Sequence, residues 1–314
     1  MTSDSTRQQT RWSDLKVLIT GASGFIGHHL CRRLRDEGGT VHATSRQARV
    51  PIPGDPVWWQ ADMANPAQAR EIFTAVEPHI VFHLAGSVGA RPDLDLVLPT
   101  YHSLLTSTVN VLLMAAEVGC ARVVLAGSLT EPTADERGPI PGSPYAAAKW
   151  ASSAYGRMFQ RLYGTPVVIL RPFMTYGPAQ ASTKLIPSVA LSLLRGTAPM
   201  LSSGKTKADW VYIDDVVDGF MRAASTPGIE GRTIDLGTGT LVSVREVVTG
   251  LANIARTQVE VRFGALPDRP AENEIVANTA TASELLGWTA TTTLDSGLRQ
   301  TFDWFRAHPI PDRD

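Results

Sequence analysis

The chain has 314 residues, of which 43% are hydrophobic, with 29 basic and 30 acidic side chains. This length and composition are those of an ordinary globular protein with room for a large core. A net charge of -1 gives no reason to expect a nucleic-acid partner, because binding to phosphates needs a basic surface.

The N-terminal residues, the cysteines and the histidines together indicate a protein of the reducing cytoplasm. Residues 1–11 are polar, so we expect a disordered tail rather than a signal peptide. No uninterrupted apolar run reaches 18 residues, and we therefore expect no membrane span. Cys31 and Cys120 lie singly in apolar surroundings, as core residues do. The seven histidines have no metal-binding spacing, so no metal is expected.

Apolar strands alternate with helical patterns through the first half of the chain. Strands are predicted at 15–20, 40–45, 57–60, 79–85, 121–127 and 166–172, and helices at 25–34, 66–76, 98–119 and 144–163. Strands that are apolar throughout indicate a parallel sheet covered by helices on both faces. Right-handed crossovers then give a doubly wound α/β domain of the Rossmann type over 12–172.

The second half is less regular. Shorter pieces rich in Gly, Pro and Ser predict that 173–314 forms mainly a smaller, substrate-binding lobe. The stretches DWVYIDDVVDGFMRAA and RTIDLG, within 209–236, are expected to return to the main sheet.

A glycine-rich turn follows the first predicted strand, where TGASGFIG places Gly21, Gly24 and Gly27. Gly21 lets the chain turn sharply, Gly24 lets a pyrophosphate approach the backbone, and Gly27 lets helix and strand pack closely. The helix N-terminus offers N–H groups and partial positive charge to phosphates. This position predicts dinucleotide binding.

The end of the second strand distinguishes NAD from NADP. A carboxylate there would bond the ribose 2′-hydroxyl, but ATSRQ offers Ser45 and Arg46 instead. A guanidinium pairs well with a 2′-phosphate, so we expect NADP (as NADPH), with NAD as second choice. Asp62, after the third strand, suits a contact to the adenine amino group.

The stretch SPYAAAKW places Tyr145 and Lys149 four residues apart, on one face of a predicted helix. Taken alone, such a pair arises often by chance, and its default interpretation is an aromatic residue in the core and a lysine in water.

Together these features resemble the extended short-chain dehydrogenase/reductase family, which comprises nucleotide-sugar epimerases, dehydratases and reductases. The resemblance covers nearly the whole chain. It includes Ser128 after the fifth strand and the motifs HLAG (83–86), RPFMTYGP (171–178), DWVYIDDV (209–216), DLGTGT (235–240) and SELLGW (283–288).

The resemblance implies roles for the matching residues. Tyr145 exchanges a proton with the substrate oxygen while hydride moves at the nicotinamide, and Lys149 holds the nicotinamide ribose and favours the phenolate. Ser128 positions the same oxygen, with Thr130 on the same side. The implied cofactor contacts are Gly21, Ser23, Gly24, Phe25, Ile26, Gly27, Ser45, Arg46, Asp62, Met63, Leu84, Ala85, Gly86, Tyr145, Lys149 and Pro172. The implied substrate contacts are Ser128, Met174, Thr175, Lys184 and Arg269, with Arg269 on a diphosphate.

Departures from the family pattern reduce the number of family reactions that this sequence could support. Leu129 and Thr130 stand where 4,6-dehydratases carry an Asp-Glu pair, which disfavours elimination of water. Glu131 is one place from the glutamate of UDP-glucuronate decarboxylases and is expected to point elsewhere. Met174 and Ala208 replace an asparagine and an arginine of typical members.

The sequence therefore favours an NADPH-dependent reductase of a nucleotide-diphosphate 4-keto-6-deoxyhexose, as in deoxysugar biosynthesis. The alternative is a nucleotide-sugar 4-epimerase of the UDP-glucose or UDP-glucuronate type, usually with NAD. A non-enzymatic NADP sensor is disfavoured by the Tyr-Lys pair. As in many relatives, the helices 98–119 and 144–163 are expected to form a four-helix interface in a homodimer.

Overall fold

The computed structural model describes residues 10–50, 52–87, 89, 91–132, 140–268 and 274–309. Most of the predicted tail, 1–9, lies outside them, as does Arg269. The strands are β1 (Lys16–Thr20), β2 (Thr40–Ser45), β3 (Val57–Gln60), β4 (Ile80–His83), β5 (Arg122–Ala126), β6 (Val167–Pro172), β7 (Met174–Tyr176), β8 (Lys207–Tyr212), β9 (Thr233–Leu236) and β10 (Leu241–Ser243). The helices are α1 (Phe25–Asp36), α2 (Pro66–Val76), α3 (Val97–Thr100), α4 (Ser107–Val118), α5 (Pro144–Tyr163), α6 (Leu185–Leu194), α7 (Ile213–Ser225), α8 (Val244–Ala255), α9 (Thr279–Leu286) and α10 (Leu294–Ala307).

A seven-stranded sheet in the order β3-β2-β1-β4-β5-β6-β9 confirms the predicted doubly wound fold. Strand β1 pairs in parallel with β2 on one side and β4 on the other. The strand order reverses at this point, so the carboxyl ends of β1 and β4 flank the crevice where such sheets bind ligands. The inner strands are buried along nearly their whole length, which is why they read as continuous apolar runs.

The chain divides into two compact units. The first comprises Met1–Leu125, Ala134–Val168 and Ala223–Arg232, and the second Ala126–Thr133, Ile169–Arg222 and Thr233–Asp314. These units interleave along the chain. The sequence predicted a main domain over 12–172, with returns within 209–236, and a lobe formed mainly by 173–314.

The prediction that two segments rejoin the main sheet is half right. Strand β9 pairs in parallel with the end of β6, as predicted for RTIDLG. Strand β8, from DWVY, lies instead in a three-stranded sheet in the order β10-β8-β7. It pairs in parallel with β7 and antiparallel with β10, so both of its edges are used there.

The long helix predicted at 98–119 begins earlier and changes its winding. A 3₁₀ turn at Leu94–Leu96 leads into α3, a π-helical segment at Tyr101–Thr106 follows, and α4 completes the run. The Ser107 and Thr108 hydroxyls donate to the carbonyls of Ser103 and Leu104, both at 2.7 Å. These hydroxyls compete with backbone N–H groups for the same carbonyls, at the junction of the π-helical segment and α4.

The run Leu94–Val118 is also long and apolar enough to cross a membrane by length and composition alone, a test that core helices of soluble folds pass as well. The run is interrupted by polar residues, and the expectation of no membrane span stays a prediction.

Candidate active site

The glycine turn in the first unit has the geometry of a phosphate cradle. Gly21 has φ 71°, and a Cβ there would lie 2.6 Å from the Ala85 amide nitrogen. Gly24 is the N-cap of α1 and supplies no side-chain cap. No side chain of the N-cap covers the N–H groups of the first turn, and such a glycine N-cap fits a dinucleotide pyrophosphate.

Apart from Tyr145 and Lys149, the other predicted cofactor residues of this unit lie near the ends of β1 to β4 or at the start of α1. Leu84 and Ala85 are half-buried after β4, and Gly86 is exposed. Ser23 is exposed, and Phe25 and Ile26 are half-buried. The sequence thus brings together backbone from two adjacent strand ends, as a bound dinucleotide requires.

The end of β2 offers a cation and no carboxylate. Ser45 is buried, and its Oγ accepts from the Gln47 amide at 3.2 Å, whereas Arg46 is exposed. After β3, Asp62 is exposed and its Oδ1 accepts from the Ala64 amide at 2.9 Å. Met63 is buried, so its side chain serves packing.

A buried polar pair joins the carboxyl ends of β1 and β4. The Thr20 Oγ1 lies 2.7 Å from Nδ1 of His83, and Nε2 of His83 lies 3.1 Å from the Thr108 Oγ1. Because Thr108 donates its own proton to the carbonyl of Leu104, it must accept from Nε2, and Nδ1 then accepts from Thr20. In the neutral imidazole, both ring nitrogens of His83 therefore have a hydrogen-bond partner.

Helix α5 carries the tyrosine and the lysine. It begins at Pro144 because Ser143 accepts from the Ala146 amide at 3.1 Å, a standard N-cap. Tyr145 is half-buried in the first turn, and Lys149, one turn on, is 8% exposed. Burial, and secondarily the charge of Lys149, lower the pKa of His83 to about 3.

The second unit holds the hydroxyls that follow β5. The Ser128 Oγ lies 2.9 Å from the Thr130 Oγ1 and accepts from the Thr130 amide at 3.2 Å. The side chain of Glu131 is buried and accepts from the Ser128 amide at 2.8 Å. The carboxylate of Glu131 therefore turns back toward the backbone of its own turn.

The predicted substrate residues of this unit differ in charge and in their hydrogen-bonding groups. The Thr175 hydroxyl donates to the carbonyl of Phe173 at 3.0 Å, and Met174 is 37% exposed without a hydrogen-bonding group. Lys184 is exposed at the N-cap of α6, and Pro172 is half-buried at the end of β6. Of these residues, Lys184 alone offers a cation, and the predicted diphosphate contact Arg269 lies outside the described residues.

Thr20 and His83 of the first unit were not predicted from the sequence as functional residues, and Glu131 of the second unit was expected to point elsewhere. A signal existed for the first two, because each is a polar residue at the end of a strand that is otherwise apolar. Among the residues that the structure describes, no group of three or more His, Cys, Asp or Glu side chains is placed to hold a metal ion.

Comparison with known proteins places this geometry in a family. The model described as the NAD dependent epimerase/dehydratase family matches residues 17–237. The UDP-glucose 4-epimerase of Mycolicibacterium smegmatis is 29% identical, covering 93% of this chain and 99% of that protein. The dTDP-glucose 4,6-dehydratase of Neisseria meningitidis is 27% identical, covering 92% and 93%. The structure of Thermus thermophilus UDP-glucose 4-epimerase with NAD matches with a TM-score of 0.83 and 26% identity, covering 94% and 100%.

Proposed function

Because this chain belongs to the NAD dependent epimerase/dehydratase family, we propose that it is a nucleotide-sugar 4-epimerase. The similarity to UDP-glucose 4-epimerases over nearly the full length of both chains supports this reaction. The observation that carries it is the pair on α5, where half-buried Tyr145 stands one turn from buried Lys149 in the unit that bears the glycine turn. Such a pair serves proton exchange with an alcohol or ketone.

The proposed chemistry is oxidation of the sugar C4 carbinol followed by reduction from the other face. NAD, when bound, supplies the acceptor and then the donor of one hydride. Tyr145, as phenolate, takes the proton of the C4 hydroxyl and returns it when the carbonyl is reduced. Lys149 favours the phenolate because a nearby positive charge stabilises the charged form. The role of Ser128, a hydroxyl that orients the same oxygen, remains a prediction of the family resemblance.

The chain's own residues fit the cofactor. The first turn of α1, opened by Gly24, would hold the pyrophosphate, and Lys149 would hold the nicotinamide ribose. Neutral His83 adds no positive charge beside Lys149, so the ammonium is the cation of this pocket that acts on the phenol. An epimerase that consumes no cofactor gains from holding it tightly.

A second candidate rests on the end of β2. Exposed Arg46 and the absence of a carboxylate in ATSRQ suit a 2′-phosphate, and cells keep the NADP pool mostly reduced. That observation favours an NADPH-dependent reductase of a 4-keto-6-deoxyhexose nucleotide. It differs from the epimerase in releasing oxidised cofactor at every turnover.

Assembly as a homodimer is proposed from apolar side chains left exposed on the two helical runs expected to pair. Leu98 is 65% exposed, and on α5 Leu162 and Tyr163 are 65% and 63% exposed. Burying such side chains in a four-helix interface removes apolar area from water. We expect a mass twice that of the chain in sedimentation, and a monomer for Leu98→Glu.

The proposed function is tested by ligand-dependent melting. A ligand that binds only the folded protein raises the melting temperature. With NAD present, UDP-glucose, UDP-glucuronate or dTDP-glucose should raise it further, whereas glucose and UMP should not. No shift with any nucleotide sugar would contradict the proposal.

A further inference from the structure

The turn after β5 contains a buried carboxylate that bonds to the residue proposed as a catalytic hydroxyl. Glu131 is 4% exposed, and its Oε1 accepts from the Ser128 amide at 2.8 Å. The Glu131 amide in turn donates to the Ser128 carbonyl at 3.2 Å. Both backbone polar groups of Ser128 are thus bonded to Glu131.

We propose that Glu131 is a positioning residue that fixes Ser128 so that its hydroxyl faces the substrate oxygen. This inference rests on the proposed function, because only that function assigns the Ser128 hydroxyl a role at the substrate oxygen. Leaving the buried Ser128 N–H without an acceptor would cost free energy. The hydrogen bond to the Glu131 carboxylate therefore holds the backbone of Ser128 in place. Glu131 itself touches no reacting atom in this role.

Gly127 makes the arrangement possible. A Cβ at this position would lie 2.6 Å from the Glu131 Oε1 and 3.0 Å from Cγ of Arg171. The carboxylate therefore occupies space that any other residue at 127 would fill. Gly127 also closes the strand, because its amide donates to the Leu170 carbonyl at 2.7 Å. The Glu131 carboxylate therefore packs against Gly127, between the end of β5 and Ser128.

The chain offers a direct contrast in a second Ser-x-x-Glu sequence. At the start of α8, Ser243 and Glu246 form a full capping box, in which the serine hydroxyl accepts from the Glu246 amide at 3.2 Å. In the turn after β5 the Glu131 amide goes to a carbonyl instead. The Ser128 hydroxyl is therefore not used as a cap for that amide.

Thr130 completes the local geometry. Its amide and its hydroxyl both lie within hydrogen-bonding distance of the Ser128 Oγ. When the Thr130 hydroxyl donates, the Ser128 oxygen accepts two hydrogen bonds and its own proton is left to donate to a ligand oxygen. Glu131 contributes by holding the backbone from which both hydroxyls extend.

The contact is tested without substrate by amide hydrogen exchange. Glu131→Leu removes the acceptor, and Glu131→Gln keeps an acceptor oxygen without the charge. The Ser128 amide should exchange at least about tenfold faster in the Leu variant than in the wild type, with the Gln variant between them. Gly127→Ala should give the same acceleration with Glu131 intact, which covers the case that Glu131→Leu does not fold. Unchanged exchange in these variants would overturn the proposal.

The positioning role is tested by a kinetic cycle with Ser128→Ala. With the nucleotide sugar that the protein turns over, Glu131→Leu should lower kcat about 100-fold, the effect of a small misplacement of a reacting group. In the Ser128→Ala background the same change should lower kcat no further, because its effect passes through Ser128. Additive losses would show a general structural role and overturn the proposal.

The matched control is Glu246→Leu, which breaks the other Ser-x-x-Glu contact. It should lower the melting temperature through loss of the α8 cap and leave kcat unchanged. A wild-type chain that turns over no nucleotide sugar would count against the proposed function alone. The exchange of the Ser128 amide would still decide whether Glu131 holds it.

Discussion

The Nδ1 atom of His83 lies 2.7 Å from the hydroxyl oxygen of Thr20, where β1 and β4 end side by side. The opposite ring nitrogen faces the Thr108 hydroxyl at 3.1 Å. These bonds suit a neutral imidazole with the proton on Nε2. They keep a second positive charge out of the surroundings of Lys149, where it would oppose the ammonium.

This arrangement predicts a specific loss of stability in acid. Burial lowers the pKa of His83 from 6.5 to about 3, so between these values the unfolded chain binds a proton that the folded chain does not. The free energy of unfolding should therefore fall as the pH falls through this window, by up to about 1.4 kcal/mol per pH unit from this residue. Urea denaturation between pH 4.5 and 7.0 measures the slope.

His83→Gln isolates that contribution, since the carboxylates are common to both proteins. The variant should show a flatter dependence of stability on pH than the wild type. Exposed His308, changed to Gln, serves as the control and should leave the slope as it was. Equal slopes for wild type and His83→Gln would mean that His83 takes up a proton in the folded protein.

Tyr145→Phe should lower kcat by at least about 100-fold, because the ring remains while the proton donor is lost. Cofactor affinity should stay within about twofold, since the ring of phenylalanine fills the space of the phenol. Steady-state kinetics and calorimetric titration give the two values. Tyr155→Phe, on the exposed part of the same helix, is the control. If the Tyr145→Phe variant kept most of its kcat, Tyr145 would have no part in the chemistry.

Lys149→Ala should damage both catalysis and cofactor binding, in contrast to Tyr145→Phe. The buried ammonium is proposed both to stabilise the phenolate and to bond the ribose, so kcat should fall at least about 100-fold and affinity about tenfold. Exposed Lys16, changed to Ala, controls for loss of charge in the same unit. Loss of kcat with unchanged affinity would exclude the ribose contact.

Arg46→Asp should change the preference between the two nicotinamide cofactors. The ratio of NADPH to NADH affinity should fall at least tenfold, or about 1.4 kcal/mol, since the exposed guanidinium is replaced by a charge that repels a 2′-phosphate. Calorimetry on wild type and variant gives the ratio. A ratio that does not move would mean that Arg46 does not face the ribose.

The sequence predicts the local elements well because their ends carry local signals. Helix α2 has the predicted bounds because Asn65 caps it and Pro66 follows, and α5 has them because Ser143 and Gly164 lie at its ends. The glycine turn could be placed because close backbone approach admits no other residue. These features depend on neighbours within a few positions.

The features that the sequence did not predict depend on distant partners. Thr20 and His83 are 63 positions apart and meet only through the register of β1 with β4. Strand β8 is placed by its pairing with β7 and β10, which lie elsewhere in the chain. The contact of Glu131 with Ser128 is local in sequence, but a Ser-x-x-Glu pattern alone does not distinguish it from the capping box at Ser243 and Glu246.

An epimerase of the proposed kind inverts C4 of a nucleotide sugar while keeping its cofactor. The most direct measurement is proton NMR of UDP-glucose, UDP-glucuronate and dTDP-glucose incubated with the purified protein and catalytic NAD, with absorbance at 340 nm recorded in parallel. We expect a growing signal from the C4 epimer of at least one sugar, the same equilibrium mixture from either epimer, and no net change at 340 nm. Steady loss of NADPH with a 4-keto-6-deoxyhexose nucleotide, and no epimer of any sugar, would contradict the proposed function.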